Sequence, residues 1–429
     1  MALNTSVELR KKVIYSIYIR NHTAEGTFKS IVPDLDRIKS LGVDIIWFLP
    51  IHPIGKEDRK GTLGCPYSIK DYRAVNPEYG TMENFRELVT EIHNRDMKCM
   101  IDVVYNHTSA DSVLTQEHPE WFYHNEDGEI IPRIADWSDV RDLNYDNPEL
   151  WDYQIETLKS WAEFVDGFRC DVASIVPVGF WQKARAEVEK IKPDFMWLAE
   201  TVDPEFIIFL RSMGYHGSSD SEVYNAFDIT YDYDIKRFYF DYIEGKITLK
   251  EYIYELNRQE WTYPDNYIKL RCLENHDIPR AAHNFPNGDV LANRTAFMYF
   301  QKGTALLYGG QETADTNSPS LFDVDKVNWN TGKDLSPLIR NLTRIKSLDI
   351  VTNGNYKLSD AGNDIVYGEY KQGENTLVGV FSLKGKSGKV TVNIPDGEYT
   401  SYVDNEPVTV ENGTIAVQYN RPIIIYCSN

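Results

Sequence analysis

Cysteine is scarce and unpatterned: there are five, an odd number, and no Cys-x-x-Cys. That excludes a disulfide framework or a zinc ribbon as the organising principle of the fold. Cys99, Cys170 and Cys272 lie in apolar strand-like runs and are expected to be small buried hydrophobes. Positive charge is in deficit, with 45 Lys and Arg against 65 Asp and Glu and a net charge of −20. Such a balance argues against nucleic acid or an anionic membrane as partner and suits a neutral substrate. No block of like charge is long enough to act as a binding tail. Nor is there an apolar run of about 18 residues, and the N-terminal MALNTSVELRKKVIYSIYIRN has no signal-peptide core. The expectation is a reduced, cytoplasmic protein without a membrane partner. Internal repeats and low-complexity tracts are also missing.

What is present is an ordinary globular composition, 42% hydrophobic and 26% charged, in a chain of 429 residues. That length exceeds one core, so a large domain plus a smaller one is expected. Aromatics are plentiful, with 28 Tyr and 9 Trp, and rings with a polar edge suit stacking on sugar faces.

Between about residues 13 and 348, short β-rich runs alternate with longer helical patterns. The strand candidates are VIYSIYI (13–19), DIIWFLP (44–50), KCMIDVVY (98–105), GFRCDVA (167–173), FMWLAET (195–201), VYNAFDI (223–229), YIKLRCLE (267–274) and TALLYGG (304–310). Phe28, Ile31, Leu35, Ile38 and Leu41 recur at helical steps, and in NPELWDYQIETLKSWAEF Asn147 can cap with Pro148 at the first helical position. Eight strands alternating with helices predict an α/β fold, a (β/α)8 TIM barrel. The stretch 107–146 is too long and too polar for an ordinary βα loop and is expected to be an inserted subdomain over the mouth. From about 352 the pattern changes to short alternating strands with turn signals, predicting an all-β antiparallel sandwich over 352–429. The barrel itself is assigned to 1–106 and 147–351.

Within DGFRCDVAS (166–174), Arg169 and Asp171 fall two apart, and so on one face of a strand. A neighbouring guanidinium favours the ionised carboxylate, so a lowered pKa is expected for Asp171. Taken alone, Arg-x-Asp is more simply a structural ion pair. Its companions change the reading. Barrel chemistry sits at the C-terminal ends of the strands, where DVVYNHT supplies Asp102, Asn106 and His107, WLAET supplies Glu200, and ENHD supplies His276 and Asp277. Carboxylates crowded in a dry mouth have their pKa values pushed apart. Asp171 is then the ionised nucleophile, and Glu200, set in an apolar strand, the protonated acid. That pairing is what retaining glycoside cleavage requires, with Asp277 holding sugar hydroxyls. Asp102 is more simply a structural carboxylate that orients the mouth.

The blocks DVVYNHT, GFRCDVAS, WLAET and ENHD, in this order on a (β/α)8 pattern, resemble the conserved regions of the α-amylase superfamily, glycoside hydrolase family 13. PYSIKDYRAVNPEYGT (66–81) and GTALLYGGQE (303–312) extend the resemblance over nearly the whole chain. It implies that Asp171 is the nucleophile, Glu200 the general acid/base and Asp277 the transition-state stabiliser. It also implies that His107, Arg169 and His276 bind the sugar in the cleavage subsite and that Tyr67 stacks on its ring. One departure is plain. Many members continue the nucleophile block with a Lys-His pair that helps form an acceptor subsite, whereas Val172, Ala173, Ser174 and Ile175 follow Asp171 here.

No cofactor is expected. Asn106 and Asp142 stand where some members hold calcium, and a His that often completes that site belongs to the missing pair, so a structural calcium stays open. The expected activity is retaining cleavage of α-1,4 bonds in an α-glucan oligosaccharide. An α-glucosidase, a neopullulanase or a glucanotransferase is the alternative within the family, and a non-catalytic glucan-binding relative is a further one. A different class, a metallohydrolase, would use Asp102, His107, His276 and Asp277 as metal ligands.

Overall fold

The computed structural model describes residues 4–134 and 136–428. Its centre is a closed parallel barrel of β1 (Val13–Ile17), β2 (Ile45–Phe48), β3 (Lys98–Val103), β6 (Gly167–Cys170), β7 (Met196–Ala199), β8 (Ile229–Tyr231), β9 (Lys269–Arg271) and β10 (Thr304–Tyr308). Every residue of β1, β2, β6, β7 and β10 is buried. Strands covered on both faces have no solvent side to make polar, which is why they read as continuous apolar runs.

The outer helices follow their own signals. Thr81 and Asn84 cap Met82–His93 reciprocally, and Phe85, Leu88, Val89 and Ile92 form its buried face. Burying those four side chains contributes about 6–12 kcal/mol before conformational entropy is subtracted. The positions Phe28, Ile31, Leu35, Ile38 and Leu41 are all buried, but not on one helix. Phe28–Ile31 and Leu35–Ser40 are separated by a 3-10 turn, Val32–Asp34, at Pro33, because proline has no N–H to donate within a helix. Asn147 does precede the helix Pro148–Ala162, yet its side chain makes no cap bond. It donates instead to the carbonyls of Glu120 and Asn144.

One strand falls elsewhere than expected. VYNAFDI is not the sixth barrel strand: Asp220–Val223 is a helical turn and β8 starts only at Ile229. Ser219 and Glu222 form a capping box there, and helix-start chemistry overrode a run that looked β-rich.

Between β3 and β6 the chain makes a two-stranded ribbon, β4 (His107–Ser109) with β5 (Val140–Asp142), in which His107 faces Asp142. Beyond the barrel, β11 (Asn355–Asp360), β12 (Ile365–Gln372) and β13 (Asn375–Ser382) form an antiparallel sheet with β18 (Ile423–Cys427). A second sheet is ordered β14 (Gly388–Thr391), β17 (Thr414–Val417), β16 (Pro407–Glu411) and β15 (Gly397–Thr400). One core lies between the sheets, around Val378, Val380, Val390, Ile415 and Ile425. The opposite face of the first sheet belongs to the barrel's core: the Phe300 ring lies 5.3 Å from Phe381 and 5.2 Å from Tyr370. Two glycines permit that approach, since a Cβ at Gly368 would sit 2.5 Å, and one at Gly379 2.8 Å, from the Phe300 ring.

Candidate active site

The strand ends converge on a cavity of about 340 Å³ whose lining includes Tyr67, His107, Asp171, Glu200, His276 and Asp277. Asp171 and Glu200 directly follow β6 and β7, which lie side by side with Cys170 opposite Ala199. Parallel register therefore brings two residues far apart in sequence to the same level of the mouth.

Arg169 is placed differently from what the resemblance implies. Its side chain is fully buried and lies beneath the cavity, leaving no surface open to a sugar. Nη1 is 2.8 Å from Asp171 Oδ1 and 2.9 Å from Asp102 Oδ1. Nη2 is 2.9 Å from Glu200 Oε2 but off the line of a hydrogen bond. One guanidinium thus serves three carboxylates, and one positive charge cannot neutralise three negatives. Asp102 is a structural member of this set, accepting also from the Tyr67 hydroxyl at 2.9 Å.

The proton affinities follow from that deficit. Burial pushes the Asp171 carboxyl up, against the pull of Arg169 and helped by Asp102, to about 6. The lowered value expected from the Arg-x-Asp spacing is therefore corrected: desolvation wins because the guanidinium is shared. Burial raises Glu200 further, to about 7, with Arg169 opposing and the Asp171 and Asp277 charges adding. Asp277 goes the other way. Burial would raise it, but His276 together with the Arg169 and Lys236 charges outweighs that and holds it at about 2, with His276 Nε2 3.1 Å from its carboxylate. His276 rises in return, the adjacent Asp277 overcoming the effect of burial. The three acids are accordingly graded, as crowding in the mouth predicted.

Other positions complete the wall. The Tyr67 ring stacks on His276 at 5.3 Å and 12°, and its hydroxyl lies 2.8 Å from His276 Nε2. Burial lowers the His107 pKa, with Asp142 opposing, and its ring lies 5.8 Å from Trp137. Val172 adopts φ 36°, a left-handed conformation costly for a β-branched residue. That turn aims its N–H at Glu200 Oε2, at 2.8 Å. Sequence reasoning had no signal for it, since valine is a poor choice for such a backbone. Lys60, Trp137, Tyr233 and Lys236 also line the cavity and were not singled out. Lys236, with Nζ 4.1 Å from the Tyr233 ring centre, brings a cation to a mouth that lacks the Lys-His pair.

The rival metal set does not assemble. Asp102 is committed to Arg169 and Tyr67, His276 lies between Tyr67 and Asp277, and His107 Nδ1 is 3.1 Å from Asn106. Among the described residues no group of three or more His, Cys, Asp or Glu is placed to hold a metal ion. The Asn106–Asp142 pair does not fit calcium either. The Arg133 side chain, 4% exposed, sits against both: its Nε and Nη2 are 3.1 and 3.0 Å from Asp142 Oδ1, and Nη2 also contacts Asn106 Oδ1.

Sequence families give the same picture. Residues 14–128 and 115–351 match the alpha amylase catalytic domain, and 357–425 match the bacterial alpha amylase C-terminal domain. An alpha-amylase crystal structure from Lactobacillus plantarum is 45% identical with a TM-score of 0.97, over 99% of this chain and 100% of that one. A noncanonic maltogenic alpha-amylase, AmyB from Thermotoga neapolitana, is 33% identical with a TM-score of 0.87, over 98% and 100%. Alpha-amylase MalA of Haloarcula japonica is 26% identical over 94% of this chain and 61% of its own length. The chain spans about three fifths of the length of the first curated relatives it matches. With the catalytic-domain match running through the strands that carry Asp171, Glu200 and Asp277, the chain belongs to the α-amylase family.

Proposed function

We propose that the protein is a retaining glycoside hydrolase that cleaves α-1,4-glucosidic bonds of maltooligosaccharides or starch-derived glucans. The observation that carries this is the pair Asp171 and Glu200, held on one guanidinium at one cavity and graded to about 6 and about 7. At neutral pH Asp171 is mostly ionised while Glu200 still holds much of its proton. An Asp171 oxygen attacks the anomeric carbon as the glycosidic C–O bond breaks, and Glu200 gives its proton to the leaving oxygen. Glu200, now a carboxylate, takes a proton from water, whose oxygen displaces Asp171 from the same carbon. Asp277, ionised throughout, holds sugar hydroxyls and the developing positive charge, His276 donates to sugar hydroxyls, Tyr67 presents its ring, and His107 donates or accepts from the wall. Arg169 is a positioning residue that acts through the carboxylates.

A second reading, capture of the glycosyl intermediate by another sugar, is favoured by an aromatic path leaving the cavity. Trp137 lies 6.1 Å from Phe206, and Phe206 stacks at 6.1 Å on the half-exposed Phe209. A cytoplasmic location is supported by Cys65, Cys99, Cys170 and Cys272 being free thiols, of which Cys272 is only half-buried rather than a core residue. Among the described residues no helix is long and apolar enough to cross a membrane.

The test is a time-resolved NMR product analysis on maltohexaose, with panose in parallel and Asp171→Asn as control. New α-configured maltose and maltotriose, absent with the variant, are expected. Products longer than the substrate would favour transfer. Preferential panose cleavage would replace the α-1,4 reading with an α-1,6 one, and inert sugars would overturn hydrolysis.

A further inference from the structure

Asp142 is fully buried in the ribbon above the barrel mouth. Four hydrogen bonds reach it: Oδ1 accepts from Arg133 Nε at 3.1 Å, from its Nη2 at 3.0 Å and from Asn106 Nδ2 at 2.9 Å, and Oδ2 accepts from the Arg133 backbone N–H at 2.8 Å. The Asn106 side-chain oxygen accepts from Arg133 Nη2, and its backbone oxygen accepts from Leu143 N–H at 3.0 Å. A divalent ion would have to displace a guanidinium that is nearly out of solvent, and with it the hydrogen bonds that guanidinium makes to both residues. The same guanidinium reaches outward. Its Cζ lies 4.9 Å from the Tyr123 ring centre and 5.4 Å from that of Tyr215. Tyr123 belongs to the 107–146 stretch, whereas Tyr215 follows the helix Pro204–Ser212, in the connection that leaves Glu200.

We propose that Arg133 is a covalently built-in cation that takes the place of a structural metal at Asn106 and Asp142 and clips the inserted stretch to the connection behind the candidate acid. The site binds no calcium, and the guanidinium does with hydrogen bonds and two ring contacts what an ion would do by coordination. The two cation–π contacts tie segments far apart in the chain to one charge.

Thermal melting of the full chain, in excess EDTA and in millimolar calcium, tests both halves. The parent is expected to melt at the same temperature in both. Arg133→Met is expected to melt about 3–5 °C lower, because it strands a buried carboxylate, and Arg133→Lys in between, since an ammonium keeps the charge but not the fork. Adding Asp142→Asn to Arg133→Met is expected to recover part of that loss, a non-additivity that a merely space-filling arginine would not produce. If Arg133→Met does not fold, the lysine variant and the parent still decide. A parent that melts lower in EDTA and is restored by calcium overturns the proposal. So does an arginine variant that melts like the parent, or a double variant whose loss is the sum of the single ones.

Discussion

Two buried arginines, one under the mouth and one above it, show how the same group can be used in opposite ways. Arg133 meets one carboxylate and one amide, and both Asp142 oxygens and the Asn106 side-chain oxygen accept hydrogen bonds. Arg169 meets three carboxylates and leaves Nη2 without an aligned bond. The Arg133–Asp142 pair is charge-matched, one guanidinium to one carboxylate, and holds structure together. The outnumbered one leaves two acids, Asp171 and Glu200, reluctant to ionise. Charge imbalance in a dry place is thus the physical mark that separates the candidate site from a structural cluster of similar composition.

The largest expected effect removes the proposed nucleophile: Asp171→Asn should lower kcat by roughly 10⁴-fold while maltooligosaccharide binding, followed by calorimetry, persists. Next, Arg169→Lys should lower kcat by about 10²-fold and move both limbs of the pH profile upward, because one ammonium cannot reach three carboxylates. Unmoved limbs would mean the imbalance does not set the proton affinities. In the parent, kcat/KM should be bell-shaped, falling about tenfold per unit below about 6 as Asp171 gains a proton and above about 7 as Glu200 loses its own.

Stability gives a smaller but sharper contrast. The folded chain holds protons on Glu200 up to about 7, where an unfolded glutamate has lost them above about 4.3. Between those values the folded state binds more protons, so this residue's contribution to stability is present at low pH and fades as pH rises toward 7. Glu200→Gln should therefore stabilise the protein at pH 7, by about 1–3 kcal/mol in chemical denaturation, while abolishing turnover. Asp142→Asn should move stability the other way. Matching signs would erase the distinction between the two clusters. The smallest effect is expected at the outer end of the aromatic path, where Phe209→Ala should change KM for long maltooligosaccharides by only a few fold.

Most of this site was legible because it is made of residue types whose presence in a barrel strand needs a reason. Asp171 and Glu200 directly follow barrel strands and Asp277 sits in the polar ENHD turn after another, and their order along the chain carried the resemblance. The barrel was legible for the same reason, its strands being covered on both faces. What could not be read depends on the third dimension. That Arg169 lies beneath the cavity and is shared, reversing the expected shift of Asp171, follows from the neighbouring Asp102 and Glu200 strands and not from Arg-x-Asp. Trp137 and Arg133 lie in a stretch with no periodicity, where position is set by contacts to β4, β5 and the Tyr215 segment. The misplaced sixth strand is another matter, because Ser219 and Glu222 announced a helix start in plain sequence.

Phe300 has a consequence for inheritance. Its ring sits in the barrel's core yet is walled by Phe381 and Tyr370 of the C-terminal sheet, with Gly368 and Gly379 clearing the space. Recombination that cut the chain near residue 353 and joined a sheet from another lineage would bring side chains where the ring needs none. The two parts can diverge in surface and loops, but along this seam they must be inherited together.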